Sequence, residues 1–183
     1  MHHERIFVAW VSDRPGVLTR IASVFFRRSI NIMSLNVARS QLPDVSKMVI
    51  RAAGAPRELE RVRLQIERLV DTLRVDVLSP EHATLDELCF VRVEVCDERQ
   101  HTALLTSVQA YGPRIVRVDA GSVVLSLTST PTTIDHFLRT LEPYGLVDVS
   151  RTGVTTAPLS ELALSEAELR GHTSQTPPPD AQE

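Results

Sequence analysis

The sequence is poor in several residue types, and each shortage excludes a class of protein. Of its 183 residues only 4% are aromatic, two are cysteine and one, Lys47, is lysine. No apolar run approaches the ~20 residues that a membrane-spanning helix needs. The short stretch before Arg5 lacks the apolar core of a signal peptide. These absences predict a globular cytoplasmic protein that has no membrane partner.

The charge balance argues against a nucleic-acid partner. The formal net charge is −3, whereas a nucleic-acid binder is usually basic. An RNA-binding sheet also needs aromatic side chains on its middle strands for base stacking. The corresponding strand-like runs here, Leu35 to Ala38 and Val45 to Ala52, are aliphatic or polar. We therefore expect no nucleic-acid binding.

The cysteines and histidines do not form a recognisable chemical site. Seven residues of strand would place Cys89 and Cys96 about 23 Å apart on opposite faces, so the two cannot form a disulfide. The absence of a disulfide fits a reducing compartment. His82, His101 and His136 lie in separate predicted elements, without the spacing of metal ligands or of a nucleophile and its base. We expect no catalytic residue, metal or cofactor in this chain.

One supersecondary pattern occurs twice along the chain. Apolar periodicity over residues 5–79 predicts strand, helix, two strands, helix and strand. A polar, proline-bearing linker at 80–85 follows, and the same order recurs over 86–158. This order is typical of a unit in which two helices cover one face of a four-stranded antiparallel sheet. The predicted fold class is α+β, with two tandem ferredoxin-like βαββαβ units.

Turn and cap signals mark the ends of several elements. Thr130 is a predicted N-cap with Pro131 at the first helical position, and Gly112 ends the preceding helix. A hairpin is expected around residues 119–121. Beyond residue 159 the leucines Leu162, Leu164 and Leu169 favour a short helix. The polar stretch 173–183 predicts a tail, 159–183, that is mostly disordered.

One face of the first sheet should lack a helical cover. Because the first strand is apolar at every position, either of its two faces could be the open one, and such a strand is usually buried on both. We place Ile32, Ser34 and Asn36 on a middle strand. The two alternatives for the open face of the first strand are Phe7, Ala9 and Val11, or Ile6, Val8 and Trp10. Association of two copies would bury the remaining apolar surface, which predicts a homodimer.

The step between the first strand and the first helix predicts a small anion site. Glycine allows a tight turn, and the free amides of Gly16, Val17 and Leu18 at the positive end of the helix favour a carboxylate. Asp13 supplies an acceptor for an ammonium group. Together these groups suit a free amino acid. The alternative is an ordinary helix start, capped by Asp13 with Pro15 in the first turn.

Asn31 is a second candidate ligand at the start of the second strand. In one chain it is not adjacent in sequence to Asp13, but its amide could reach a ligand there if two subunits associate along their edges. The alternative is a turn asparagine at a helix end, where this residue readily takes left-handed geometry.

These segments together resemble the regulatory (small) subunits of acetolactate synthase, also called acetohydroxyacid synthase. The resemblance extends from about Arg5 to Leu159 and rests on blocks in the order and spacing of that family. The blocks are Asp13 to Leu18, Ile30 to Val37, Ser46 to Ile50, Leu69 to Val75, Asp86 to Leu88, Tyr111 to Gly112, Ile115 to Val118 and Val149 to Gly153.

The resemblance implies a regulatory chain without chemistry of its own. Residues 5–79 would form an ACT domain, an amino-acid-sensing module, and residues 86–158 the C-terminal domain of the small subunit. The chain would activate a large catalytic subunit that holds thiamine diphosphate, magnesium and FAD. It would also confer feedback inhibition by a branched-chain amino acid, usually valine. The effector site at the dimer interface would comprise Asp13, Gly16, Val17, Leu18, Asn31 and Ile32.

Two further expectations accompany the resemblance. Ser29 stands where many members have glycine, and a positive φ there would cost roughly 1 kcal/mol. The alternative function is a freestanding ACT-type sensor that controls another enzyme or a transcription factor.

Overall fold

The structure, a computed structural model, describes residues 3–80 and 84–156, which form two compact units. Each unit has the predicted element order. The first contains β1 His3–Ser12, α1 Val17–Phe26, β2 Ile32–Arg39, β3 Val45–Gly54, α2 Pro56–Glu67 and β4 Thr72–Leu78. The second contains β5 Leu85–Glu94, α3 Glu98–Val108, β6 Arg114–Asp119, β7 Ser122–Ser129, α4 Pro131–Leu141, β8 Leu146–Arg151 and the short β9 Thr155–Thr156. The predicted α+β class, with two βαββαβ units, is confirmed.

Both sheets are antiparallel and share one strand order. The first runs β2-β3-β1-β4 and the second β6-β7-β5-β8, with β9 paired to the start of β5. The prediction that β2 is a middle strand is wrong, because β2 pairs only with β3 within the described residues and so forms an edge. Sequence order could not reveal this, since the neighbours of a strand depend on long-range pairing.

The face of β1 that the helices cover is the one with Phe7, Ala9 and Val11. These side chains share a core with residues from both helices, and the Phe7 ring meets Phe25 edge-on at 5.3 Å between centroids. Ile6, Val8 and Trp10 therefore lie on the face without helices, which decides between the two alternatives. They are nevertheless buried too, as expected for a strand that is apolar at every position.

Each unit carries the same irregularity in its edge strand. The register of β2 on β3 shifts at Met33, and the register of β6 on β7 shifts at Val116. Both are β-bulges, in which one extra residue bends the strand. Met33 and Val116 are exposed. The repetition supports the prediction that the chain contains two copies of one unit.

The second unit confirms several local predictions. Cys89 is buried in the same core as Val91, Val93 and Val95, while Cys96 is exposed, and both thiols are free. Thr130 caps α4 by accepting from the Thr133 amide, and Pro131 occupies the first helical position. A single 3-10 turn extends α3 to Tyr111, where Gly112 ends it in left-handed conformation.

Two observations bear on the remaining expectations. Among the described residues no helix is long and apolar enough to span a membrane. Ser29 has a φ of 52°, as the strain prediction assumed. The expected tail at 159–183, including its short helix, lies outside the residues that the structure describes, as do residues 81–83 of the predicted linker.

Candidate functional site

The loop between β1 and α1 is anchored by backbone hydrogen bonds at the C-terminal end of β1. The Ser12 amide donates to the Asp71 carbonyl at 2.9 Å, and the Asp13 amide donates to the Asp44 carbonyl at 2.8 Å. The Arg14 amide closes a tight turn onto the Ser12 carbonyl. The loop is therefore held against the α2–β4 and β2–β3 connections.

Helix α1 begins at Gly16 without a side-chain cap. Gly16 is the N-cap residue, with φ 84° and ψ −11°, a conformation that glycine adopts at little cost. Within residues 3–80 and 84–156 the amides of Gly16 and Leu18 have no hydrogen-bond partner, whereas the Val17 amide makes a long bond of 3.4 Å to the Arg14 carbonyl. Two of the three expected free amides are thus available. Two details of the alternative are wrong, because Asp13 does not cap the helix and Pro15 precedes its first turn.

The first helix of the second unit provides a contrast. Its N-cap Asp97 accepts a hydrogen bond from the Gln100 amide at 2.7 Å, and the Gln100 side chain accepts one from the Cys96 amide. This reciprocal capping leaves fewer donors for a ligand. The open helix start is therefore a property of α1 that its counterpart α3 lacks.

The Asp13 carboxylate already has partners within its own chain. Its Oδ2 accepts from Arg39 Nε at 3.0 Å and its Oδ1 accepts from Ser46 Oγ at 3.1 Å. An ammonium group would therefore have to share this carboxylate with the guanidinium of Arg39, the last residue of β2. Sequence reasoning missed both partners, because the pairing of β3 with β1 brings Ser46 to Asp13 and the pairing of β2 with β3 brings Arg39 there.

A second ion pair lies beside the helix start. Arg20 donates from Nε to Asp71 Oδ2 at 2.8 Å, and Asp71 is only 8% exposed. The Nη1 atom of Arg20 lies 3.3 Å from the position that a Cβ on Gly16 would occupy. This guanidinium adds positive charge next to the open amides. Sequence reasoning did not select Arg20, although it follows Gly16 by one helical turn.

The apolar residues of the predicted site differ in exposure. Val17 is buried in the core, so its side chain cannot touch a ligand, whereas Leu18 is 42% exposed. Ile32 is half-buried and packs against the same core, and Asn31 is exposed. Leu18 is therefore the apolar side chain best placed beside the open amides.

Within one chain Asn31 and Ile32 are far from the helix start. The register places Ile32 opposite Ala52, and Ala52 opposite Arg5 near the beginning of β1. The Asp13 loop lies at the other end of β1, next to Arg39 at the far end of β2. The eight residues of β2 span about 23 Å. A single chain therefore does not bring the six predicted residues together, and their joint role stays a prediction.

Asp13 also lines an open cavity of about 460 Å³. The connection between β2 and β3 forms its wall, from Arg39 to Val45. Gly16 and Leu18 do not line it. Among the residues that the structure describes, no group of three or more His, Cys, Asp or Glu side chains could hold a metal ion.

Comparison with known families matches each unit separately. Residues 8–74 match the small-subunit-like ACT domain of acetohydroxyacid synthase (AHAS), and residues 86–157 match the family described as small subunit of acetolactate synthase. The class of protein is therefore one with an N-terminal ACT domain and a second unit of the same topology.

Relatives over most of the chain define the family more closely. A probable acetolactate synthase small subunit from Methanothermobacter thermautotrophicus is 34% identical over 82% of this chain and 89% of its own length. One from Archaeoglobus fulgidus is 33% identical over 78% of this chain and 89% of its own. The chain belongs to the family of acetolactate synthase small subunits.

A solved structure agrees with the fold. The acetolactate synthase small subunit from Thermotoga maritima superposes with a TM-score of 0.75 at 24% identity, over 85% of this chain and 96% of that one. Because the identity is low, this likeness bears on the fold alone.

Proposed function

We propose that this chain is the regulatory subunit of an acetolactate synthase. It binds a separate catalytic subunit, raises its turnover and makes it sensitive to a branched-chain amino acid, with valine as the first candidate. The observation that carries the proposal is the match of both units, in order and over most of the chain, to this one family. In this proposal thiamine diphosphate, magnesium and FAD belong to the catalytic subunit.

The effector carboxylate binds at the start of α1. The amides of Gly16 and Leu18 point out of the helix terminus, where the helix dipole also favours a negative group. Arg20 adds a guanidinium that Asp71 holds beside Gly16. Leu18 contributes apolar surface for an aliphatic side chain.

A homodimer completes the site through the edge strand β2. Two copies of β2 that pair antiparallel about Leu35 would place the partner subunit's Asn31 opposite Arg39. Arg39 in turn contacts Asp13. The separation of about 23 Å within one chain would thus be bridged by the second copy. The exposed edge residues Met33 and Val37 would become buried in this pairing.

The effector's ammonium group would then meet Asp13 and the partner subunit's Asn31. Both are oxygen acceptors, as an ammonium requires. The Asp13 carboxylate would then accept hydrogen bonds from both Arg39 and the ligand, so its contact with Arg39 would weaken. Effector binding is thereby coupled to the end of β2, which is itself part of the proposed subunit contact.

Reconstitution tests the proposal. The chain is mixed with the catalytic acetolactate synthase subunit of the same organism, and acetolactate formation is measured with and without valine, leucine or isoleucine. We expect co-purification, higher turnover and inhibition by at least one of the three. A catalytic subunit that neither binds this chain nor changes its turnover would refute the role as regulatory subunit. Activation without any amino-acid response would refute the sensing part alone.

A further inference from the structure

The edge strand β6 of the second unit exposes apolar side chains. Ile115, Val116 and Val118 are 46%, 43% and 57% exposed, although isoleucine and valine are among the residues most often buried. Within the described residues β6 pairs with β7 alone, so its other side is an open sheet edge. Such an edge presents unpaired peptide groups to which a strand of another chain can bind.

On the side that the helices cover, the apolar surface of β6 continues towards α3. Ile115 lies opposite Leu125 and Val118 opposite Val123, and both of these β7 residues belong to the buried core. A cavity of about 420 Å³ is lined by Ile115 and by Leu105 of α3. An apolar side chain that a second strand placed beside Ile115 would therefore contact apolar surface.

The other side of β6 carries opposite charges at its two ends. Arg114 and Asp119 lie opposite Ser126 and Ser122 of β7, which alternate with the core residues of that strand. Both charges are therefore on the face without helices. Asp119 accepts from Arg117 Nε at 2.7 Å. Arg114 makes no ion pair within the part of the chain that the structure describes, and its bond to Ser126 Oγ is long, at 3.4 Å.

We propose that the β6 strands of two copies of this chain pair antiparallel about the middle of the strand. This register places Arg114 opposite the partner subunit's Asp119, and Asp119 opposite the partner subunit's Arg114. It also places Ile115 opposite the partner subunit's Val118, on the side that the helices cover. A two-fold interface must be complementary to itself, and β6 meets this requirement in both charge and hydrophobicity. The inference concerns the second unit and does not depend on the proposed regulatory function.

Neighbouring registers lack this complementarity. A shift by one residue would place Ile115 opposite the partner subunit's Arg117 in one direction and opposite the partner subunit's Asp119 in the other. Both charged residues lie on the face without helices, as their β7 neighbours show, so the two faces of the paired strands would no longer match. The proposed register therefore gives a specific set of opposed residues that can be tested.

A disulfide trap in the full chain tests the register. Cys96→Ser removes the exposed native thiol, and Ile115→Cys with Val118→Cys introduces the opposed pair. Three residues of strand separate these two cysteines by about 10 Å, too far for a disulfide within one chain. We expect mild oxidation to convert the double variant to a covalent dimer on a non-reducing gel.

The single-cysteine variants are the matched controls. Ile115→Cys alone and Val118→Cys alone should stay monomeric on the gel, because each thiol would face a side chain without sulfur. An equal mixture of the two should form a covalent heterodimer. Absence of cross-linking in the double variant would overturn the proposal, as would equally fast cross-linking of the single variants.

A charge exchange tests the ion pairs independently. Arg114→Asp and Asp119→Arg are made separately in the trap background, one of them with a size tag. Each homodimer would then place like charges opposite each other twice, which should slow cross-linking roughly tenfold. A mixture of the two variants restores both opposite-charge pairs, so its heterodimer should form at about the parent rate. This rescue also shows that both variant chains are folded.

Arg139→Asp is the matched control for the change of charge, since Arg139 is an exposed arginine on α4 of the same unit. It should leave the rate of cross-linking unchanged. High salt should reduce the preference for the heterodimer, because salt screens exposed charges. A mixture that forms homodimers and heterodimers in random proportion would overturn the pairing of Arg114 with the partner subunit's Asp119, and with it the proposed interface.

Discussion

The substitution Gly16→Asp tests the proposed effector site most directly. Gly16 is exposed, and among the described residues the one atom near a new Cβ is Arg20 Nη1, the end of a flexible side chain. A left-handed aspartate costs about 1 kcal/mol. A negative charge at a helix N-terminus stabilises the folded state by about 0.3–1 kcal/mol. We therefore expect the free energy of unfolding to change by less than about 1 kcal/mol.

The effect on the effector should be much larger. The new carboxylate would lie about 4 Å from the effector carboxylate, where two like charges near a protein surface repel by about 4 kcal/mol. Each 1.4 kcal/mol is about tenfold in affinity. Partial hydration reduces the repulsion, so we expect at least a hundredfold loss. Activation of the catalytic subunit should survive, because in the proposed function it requires no effector.

The assay compares inhibition curves of the reconstituted synthase, with calorimetric titration of the amino acid into the free chain. Gly112→Asp is the control, since Gly112 is also an exposed, left-handed glycine; it ends an element instead of beginning one, and it lies in the other unit. Gly16→Ala separates backbone strain from charge and should weaken inhibition far less. Unchanged inhibition in the Gly16→Asp complex would refute the placement of the site at α1.

Three further predictions concern stability and reactivity. Ser29→Gly relieves a positive φ of 52° and should raise the free energy of unfolding by about 0.5–1 kcal/mol. Urea denaturation measures this quantity, and a lower free energy of unfolding in the variant would contradict the prediction. Asp71→Asn should lower the same quantity by about 1 kcal/mol, because Arg20 is half-exposed and can hydrate when its partner is lost. Asp71→Asn should also weaken effector binding, which calorimetry measures. An unchanged affinity would show that Arg20 does not contribute to the site. Burial raises the pKa of the Cys89 thiol, so this thiol stays protonated near neutral pH and reacts only after unfolding. A disulfide reagent should therefore label Cys96 alone, and rapid labelling of a Cys96→Ser variant would contradict the buried position of Cys89.

Local features of the fold could be predicted because neighbouring residues specify them. The alternation around Cys89 correctly assigned its face, and the Thr130-Pro131 pair correctly assigned the start of α4. Local sequence does not assign the cap of α1, because aspartate, proline and glycine, which occupy positions 13, 15 and 16, are all common near helix starts. The structure assigns the cap to Gly16.

The partners of the site residues could not be predicted from local sequence. Arg20 and Asp71 are 51 positions apart, and Asp13 and Ser46 are 33 positions apart. Their contacts exist only because β1 lies between β3 and β4. The same strand order places Asn31 at the far end of the sheet from Asp13, which a list of motif residues does not show.

Local sequence patterns are sufficient to predict the order of the elements, their duplication and the family, since periodicity, turn residues and motif blocks each involve neighbouring residues. Three further properties follow from the folded chain: β2 is an edge strand, the Asp13 carboxylate is bound by Arg39 and Ser46, and β1 is buried on both faces. These properties arise from contacts between distant segments. Their energies depend on which strands pair, and no short stretch of the chain contains that information.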